Sequence, residues 1–254
     1  LKELAMLFRK IPKWLIVLLP LLFLFGHSNA QSQSGMIREY YACNYLEGKD
    51  INDLMAARDY MVEQIGGNYE GTTFLWTPIK ANNDFDFLWF NQYTNLSQWG
   101  SEIQALWNTP VYLDVIQRFE SMSNCVTGMV THVPIFEGGA FQVANNSGAI
   151  VESFACTLKD GGDLAGVNSA VEHWRQVVTG LGAHSNYNAF MQIPFVSSAG
   201  RDVFYFGVYP DFEAYAAGTT TLQNSSDHTD VLALFARQHR CDSSLWEGRP
   251  IVQP

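Results

Sequence analysis

The sequence predicts an α+β protein in which one β-α-β-β-α-β unit occurs twice. Three observations carry this prediction. The segment from Ile37 aligns without a gap with the segment from Ile150, 113 residues downstream. Ile37, Glu39, Ala42, Cys43, Gly48, Asp50 and Ala57 match Ile150, Glu152, Ala155, Cys156, Gly161, Asp163 and Ala170. Beyond a short insertion the offset becomes 116, and Pro78, Asp86, Phe90, Tyr93, Asp114, Phe119 and Cys125 match Pro194, Asp202, Phe206, Tyr209, Asp230, Phe235 and Cys241. Within each copy the apolar period switches between strand and helix spacing in the same order.

Ile37 to Tyr45 alternates and is rich in aromatics, as a half-buried strand is. Asp50 is a helix N-cap, and a helix from Ile51 to Ile65 ends at Gly66-Gly67. Thr72 to Lys80 and Phe85 to Gln92 are two strands around an Asn-Asn-Asp turn. Ser97 to Leu106 and Val111 to Met122 are helical pieces divided by Pro110, and Val126 to Phe136 is the closing strand. In the second copy Leu164, Val167, Val171, Trp174, Val178 and Leu181 recur at steps of three and four and form one apolar helix face. The Gly- and Asn-containing stretch 137–149 links a first unit (31–136) to a second (150–254). Consecutive aromatics such as Trp89-Phe90 and Phe204-Tyr205-Phe206 imply strands covered on both faces, either as core or as the lining of a pocket.

The 254 residues are 47% hydrophobic and only 16% charged, with a net charge of −10. Such a balance excludes a disordered chain and argues against a nucleic-acid partner, which would need clustered Lys and Arg. Residues 1–30 read as a signal peptide. Lys2, Arg9, Lys10 and Lys13 precede an apolar run from Trp14 to Phe25, and Ser28-Asn29-Ala30 supplies the small residues of a cleavage site. The run is shorter than the roughly 20 residues that span a bilayer. The expectation is a periplasmic or secreted protein with no membrane association after cleavage; an uncleaved anchor is the alternative.

The β-α-β-β-α-β order is the ferredoxin-like split motif. Two such units between Ile37 and Val252 resemble the dimeric α+β barrel superfamily, here as an internal pseudo-dimer within one chain. The resemblance lies in order and length and includes no catalytic motif. It implies two sheets packed face to face, with ligands between sheet and helices. The superfamily includes cofactor-independent monooxygenases and haem-binding chlorite dismutases, so haem is the one cofactor it brings into view.

In the split motif the last strand runs beside the first, which pairs Cys43 with Cys125 and Cys156 with Cys241. An exported chain with an even cysteine count favours disulfides. Free thiols or a metal site are the alternatives, and the spacing has no C-x-x-C to support metal. Glu39 and Glu152 occupy equivalent strand positions, where a buried carboxyl could act as acid or base or serve only as an ion-pair partner. Departures from the repeat carry more information. Arg58 stands where the second copy has Val171, and it holds an anionic ligand, forms a salt bridge to Glu39, or snorkels to solvent. His132 stands where the second copy has Gly248. His173 lies beside Trp174 on the second-copy helix, and His184 follows that helix. His228 and His239 flank a predicted helix among polar residues and read as solvated. The expected site is a single sheet–helix cleft, in the first half built from Glu39, Arg58 and His132. The leading function is binding of a small, largely apolar molecule. A cofactor-independent monooxygenase-like or haem-binding enzyme, and a structural envelope-interaction protein, are the alternatives.

Overall fold

A computed structural model describes residues 35–66, 69–80, 85–107, 109–139, 148–182, 187–197 and 200–253. The signal peptide expected over 1–30, most of the 137–149 linker, and His184 lie outside the described residues. Residues 35–254 form one compact unit. Its elements are β1 (Met36–Tyr45), α1 (Ile51–Ile65), β2 (Thr72–Lys80), β3 (Phe87–Tyr93), α2 (Leu96–Leu106), α3 (Pro110–Glu120) and β4 (Ser123–Glu137). The same order follows in β5 (Ala149–Leu158), α4 (Leu164–Leu181), β6 (Asn188–Ser197), β7 (Val203–Tyr209), α5 (Phe212–Gln223), α6 (Ser226–Gln238) and β8 (His239–Val252).

Local chemistry sets the helix ends. Asp50 accepts from the Asn52 and Asp53 backbone amides while Asp53 caps Asp50 in return, a capping box that starts α1. Asn95, Thr109, Asp163, Asp211 and Ser225 cap the other five helices with side-chain oxygens. Pro110 sits in the first turn of α3, where its missing N–H costs nothing. Gly182 ends α4 at φ 63°, a left-handed position that disfavours a side chain.

All strand pairs are antiparallel, and they close a barrel in the order β4-β1-β3-β2-β8-β5-β7-β6, with β6 returning to β4. The expected face-to-face contact of two sheets is therefore only half of the arrangement. The sheets are also stitched edge to edge, β2 to β8 and β4 to β6, which leaves no open edge. Tyr40, Trp76, Phe90, Val130, Val151, Phe206 and Trp246 fill the barrel from both halves. On the outside α1–α3 cover the first four strands, with Leu54, Met61, Leu75, Phe87, Trp89 and Val115 in the layer between them. The α4–α6 helices cover the last four strands over Trp174, Val178, Tyr187, Tyr209 and Val231. Among the described residues, no helix is long and apolar enough to cross a membrane.

Both expected disulfides are present. Cys43 lies directly opposite Cys125 across β1–β4, and Cys156 opposite Cys241 across β5–β8.

Candidate functional site

Strand alternation divides β1 into two faces. Ile37, Glu39, Tyr41 and Cys43 point toward the helices, and Arg38, Tyr40 and Ala42 point into the barrel. Glu39 thereby faces a cleft of about 120 Å³ between β1, β3 and the three first-half helices. Its walls are mostly apolar, with Met61, Leu106 and Val115 among them, and Glu39, Glu102 and Asn91 supply the polar groups.

The carboxyls are held by donors. Glu39 accepts from the Trp99 indole at 2.8 Å and from the Asn91 amide at 3.3 Å. Asn91 in turn accepts from the Trp89 indole at 2.9 Å and from the Tyr69 hydroxyl at 3.1 Å. Glu102 reaches in from α2, is buried, and accepts from the Tyr93 hydroxyl at 3.1 Å and the Glu70 backbone amide at 3.0 Å. Burial raises the Glu102 carboxyl above the ordinary range, more than its hydrogen bonds lower it. Burial, with the charge of Glu39 beside it, also raises the Tyr41 phenol well above its usual value. The arrangement offers an apolar space for one small ring, with two carboxyl groups to receive a hydroxyl or N–H.

In the second half aromatic rings crowd the ground outside Glu152. Glu152 points outward from β5 as Glu39 does from β1, and burial raises its carboxyl while a Tyr215 hydrogen bond opposes the rise. Opposite Glu152, β7 carries Gly207 where β3 carries Asn91 opposite Glu39. A Cβ on Gly207 would come within 2.8 Å of the Tyr187 ring, so the ring occupies that ground. Tyr187 packs on Tyr209 at 4.6 Å, Phe136 at 5.9 Å and Trp174 at 6.2 Å. Trp174 stands where the first half has Met61, which leaves the first cleft open.

The other expected site residues are not brought together with Glu39. His132 faces the barrel interior, fully buried, on the opposite side of the sheet. Arg58 is partly exposed on α1, donates to the Ile251 carbonyl at 3.0 Å and approaches the Asp59 carboxylate at 2.6 Å. Its ionic partner is a helix neighbour, and it does not line the cleft. His173 is exposed on the outer side of α4. The first-half cleft of Glu39, Arg58 and His132 is thus corrected: these residues occupy three separate places. His239, read as solvated, is buried between the Tyr205 hydroxyl at 3.0 Å and the Cys241 sulfur at 3.1 Å. His228 is half-buried at the start of α6. Glu102 was not singled out by its sequence context, because a lone Glu on a polar helix reads as solvated.

No family model matches the chain, and no curated protein matches its sequence. Solved structures do. A monooxygenase-like protein of Fusobacterium nucleatum superposes with a TM-score of 0.56 at 11% identity, covering 87% of this chain and 96% of its own. A monooxygenase-like protein of Lactobacillus acidophilus gives 0.55 at 10% identity, over 86% and 97%. The chlorite dismutase of Candidatus Nitrospira defluvii gives 0.50 at 11% identity, over 87% and 93%. At this identity the likeness is one of fold alone: the chain shares with these structures the α+β architecture seen here as a closed eight-stranded antiparallel barrel with helices outside it.

Proposed function

We propose that the protein binds a small, largely apolar molecule carrying a hydrogen-bond donor, in the first-half cleft between sheet and helices. The carrying observation is the cleft of about 120 Å³ with Glu39 and Glu102 on its wall. This is near the ~150 Å³ cavities that accept one benzene ring. A phenol-sized ligand satisfies both features, its ring among Met61, Leu106 and Val115 and its hydroxyl on a carboxyl oxygen.

Two further elements belong to the proposal. The repeated element order, the matched cysteines and the matched Glu39 and Glu152 support descent from one duplicated ferredoxin-like unit, with ligand binding kept in one copy. The two disulfides and the basic-then-apolar residues 1–30 support export, with a mature chain starting at Gln31.

An enzymatic reading has one specific support. Two carboxyls face one small space, and burial holds Glu102 toward its protonated form, as a general acid and base pair requires. The monooxygenase-like structural neighbours fit this reading, with a bound phenol as electron and proton source and dioxygen as oxidant: one oxygen atom enters the ring to give a quinone and the other leaves as water. Haem does not fit this cleft: among the described residues no histidine lines it, and its volume suits one ring rather than a porphyrin. A purely structural envelope role would suit a first half without a cleft, and the cleft is present.

Calorimetric titration with phenol tests the binding reading. The expected result is saturable binding, weakened about tenfold or more by Val115→Phe, which occupies the space. Absence of saturable binding to the folded protein, or equal binding by the variant, would reject it. Oxygen consumption with the bound phenol separates an enzyme from a binder.

A further inference from the structure

Four adjacent strands, β3, β1, β4 and β6, place one polar group each on the inner wall of the barrel. Arg38 on β1 lies opposite Gln92 on β3, and His132 on β4 lies opposite Gln192 on β6. Met36 faces His132 and Arg38 faces Val130, so the guanidinium and the imidazole are diagonal neighbours on one face.

The hydrogen bonds within this group leave donors over. Arg38 Nε donates to Gln92 Oε1 at 2.7 Å, and the guanidinium lies over Phe74 and Phe90, 5.2 and 5.8 Å from the ring centres. Gln192 Nε2 can only donate, and it lies 2.9 Å from His132 Nδ1. A neutral imidazole that accepts at Nδ1 carries its proton on Nε2, and that nitrogen is buried with no partner among the described residues. Burial keeps this imidazole neutral, pushing it well below its usual value, with the Arg38 charge adding to the effect.

Arg38 also lacks a counter-charge. It is 8% exposed, and among the described residues no carboxylate approaches it within ion-pair distance. Burial lowers its pKa only to about 9, so it stays cationic at neutral pH. An unpaired buried charge is strongly disfavoured unless something compensates it. The second half shows that the fold does not need this group. Val151, Val208 and Gly248 stand at the positions of Arg38, Gln92 and His132, and Trp76 packs so closely that a Cβ on Gly248 would meet it at 2.8 Å. Of the four polar groups, Gln192 lines a cavity of about 440 Å³ together with Tyr40, Phe204 and Trp246, while Arg38, Gln92 and His132 stand outside its lining.

We propose that the barrel interior holds a small monoanion, of halide, nitrate or formate size, on the free N–H groups of Arg38 and on His132 Nε2, with Gln92 and Gln192 orienting the two donors. One cation beside a neutral imidazole matches a single negative charge. The site is separate from the sheet–helix cleft and rests on different side chains.

Equilibrium dialysis of the purified chain against radiolabelled chloride and radiolabelled formate, in a buffer of bulky anions, tests this. The expected result is saturable binding of one anion per folded chain, displaced by nitrate. Arg38→Met should weaken it about tenfold or more, His132→Phe less, and Arg58→Val not at all. No saturable binding up to about 100 mM, where affinity would be too weak to specify a site, overturns the proposal. Equal binding by Arg38→Met also overturns it. Should Arg38→Met fail to fold, Arg38→Lys replaces it: the charge stays, the planar fork is lost, and affinity should fall. Unchanged affinity in that variant counts against the proposal.

Discussion

Filling the first-half cleft is the most informative single perturbation. Met61 lines the space, and the second half carries Trp174 at the corresponding helix position, packed against Phe136 and Tyr187. Met61→Trp copies that solution. An unfilled apolar cavity costs a folded protein about 24 cal/mol per Å³. For the 120 Å³ present here, the native state's deficit is therefore at most about 3 kcal/mol, the figure for a wholly dry space. A side chain that fills the space recovers part of it, and overpacking strain of about 1–3 kcal/mol offsets the rest. The expected net change is a gain between 0 and about 2 kcal/mol, read as a higher urea midpoint at constant slope. Phenol binding should weaken about tenfold or more in the same variant. A loss of more than about 2 kcal/mol would show that no room exists at position 61. Retained phenol binding in a stable Met61→Trp protein would place the ligand elsewhere.

Three further outcomes follow from individual contacts. Glu102 has its carboxyl raised by burial, so its favourable contribution is complete below its unfolded value and is lost as pH rises through the folded one. Glu102→Gln should therefore be more stable than the parent near neutrality, with the difference shrinking as pH falls toward 4.5; urea midpoints across that range measure it. Arg58→Val removes one hydrogen bond to Ile251 and a half-exposed ion pair, so stability should change by no more than about 1 kcal/mol, with phenol binding intact. Because His239 Nδ1 lies 3.1 Å from Cys241 Sγ while Cys125 has only Ser123 Oγ at 3.6 Å, mild reduction followed by alkylation and mass mapping should label Cys241 before Cys125.

The sequence marks elements well and faces poorly. The α1 helix runs over the predicted Ile51–Ile65, because Asp50 caps its start and Gly66 its end. Both disulfides follow from matched positions on adjacent strands. The site was harder to read because both faces of these strands are buried, so apolar alternation does not say which face is inside. Glu39 and His132 were read into one cleft for that reason. The cysteines hold the information that separates them. Glu39 is four residues from Cys43 and shares its face, whereas His132 is seven from Cys125 and points the opposite way. Arg38 carried a signal as well: it stands opposite Val151 in the aligned segments, a larger departure than the partly exposed Arg58. The open cleft has no local signature, since it depends on Met61 and Asn91 being jointly smaller than the filling made by Trp174 and Tyr187.

The same alternation gives the first disulfide a role beyond stability. Arg38 and Glu39 are consecutive on β1, and Gln92 and Asn91 on β3, so one strand pair supplies the inner polar group with one parity and the outer cleft with the other. A slip of one residue would exchange the faces, putting Glu39 in the barrel and Arg38 under the helices. The Cys43–Cys125 cross-link fixes β1 against β4 in the observed register, whereas Cys156–Cys241 fixes strands that line a filled half. Their loops are similar, spanning 82 and 85 residues, so chain entropy assigns each about 4.5 kcal/mol. Replacing either pair by alanines should then lower stability by comparable amounts in urea titrations. Ligand binding should not fall equally. With the protein still folded, loss of Cys43–Cys125 should weaken both phenol and formate binding, and loss of Cys156–Cys241 should leave them close to the parent. Equal effects of the two replacements would reduce both cross-links to staples and remove the link between register and site.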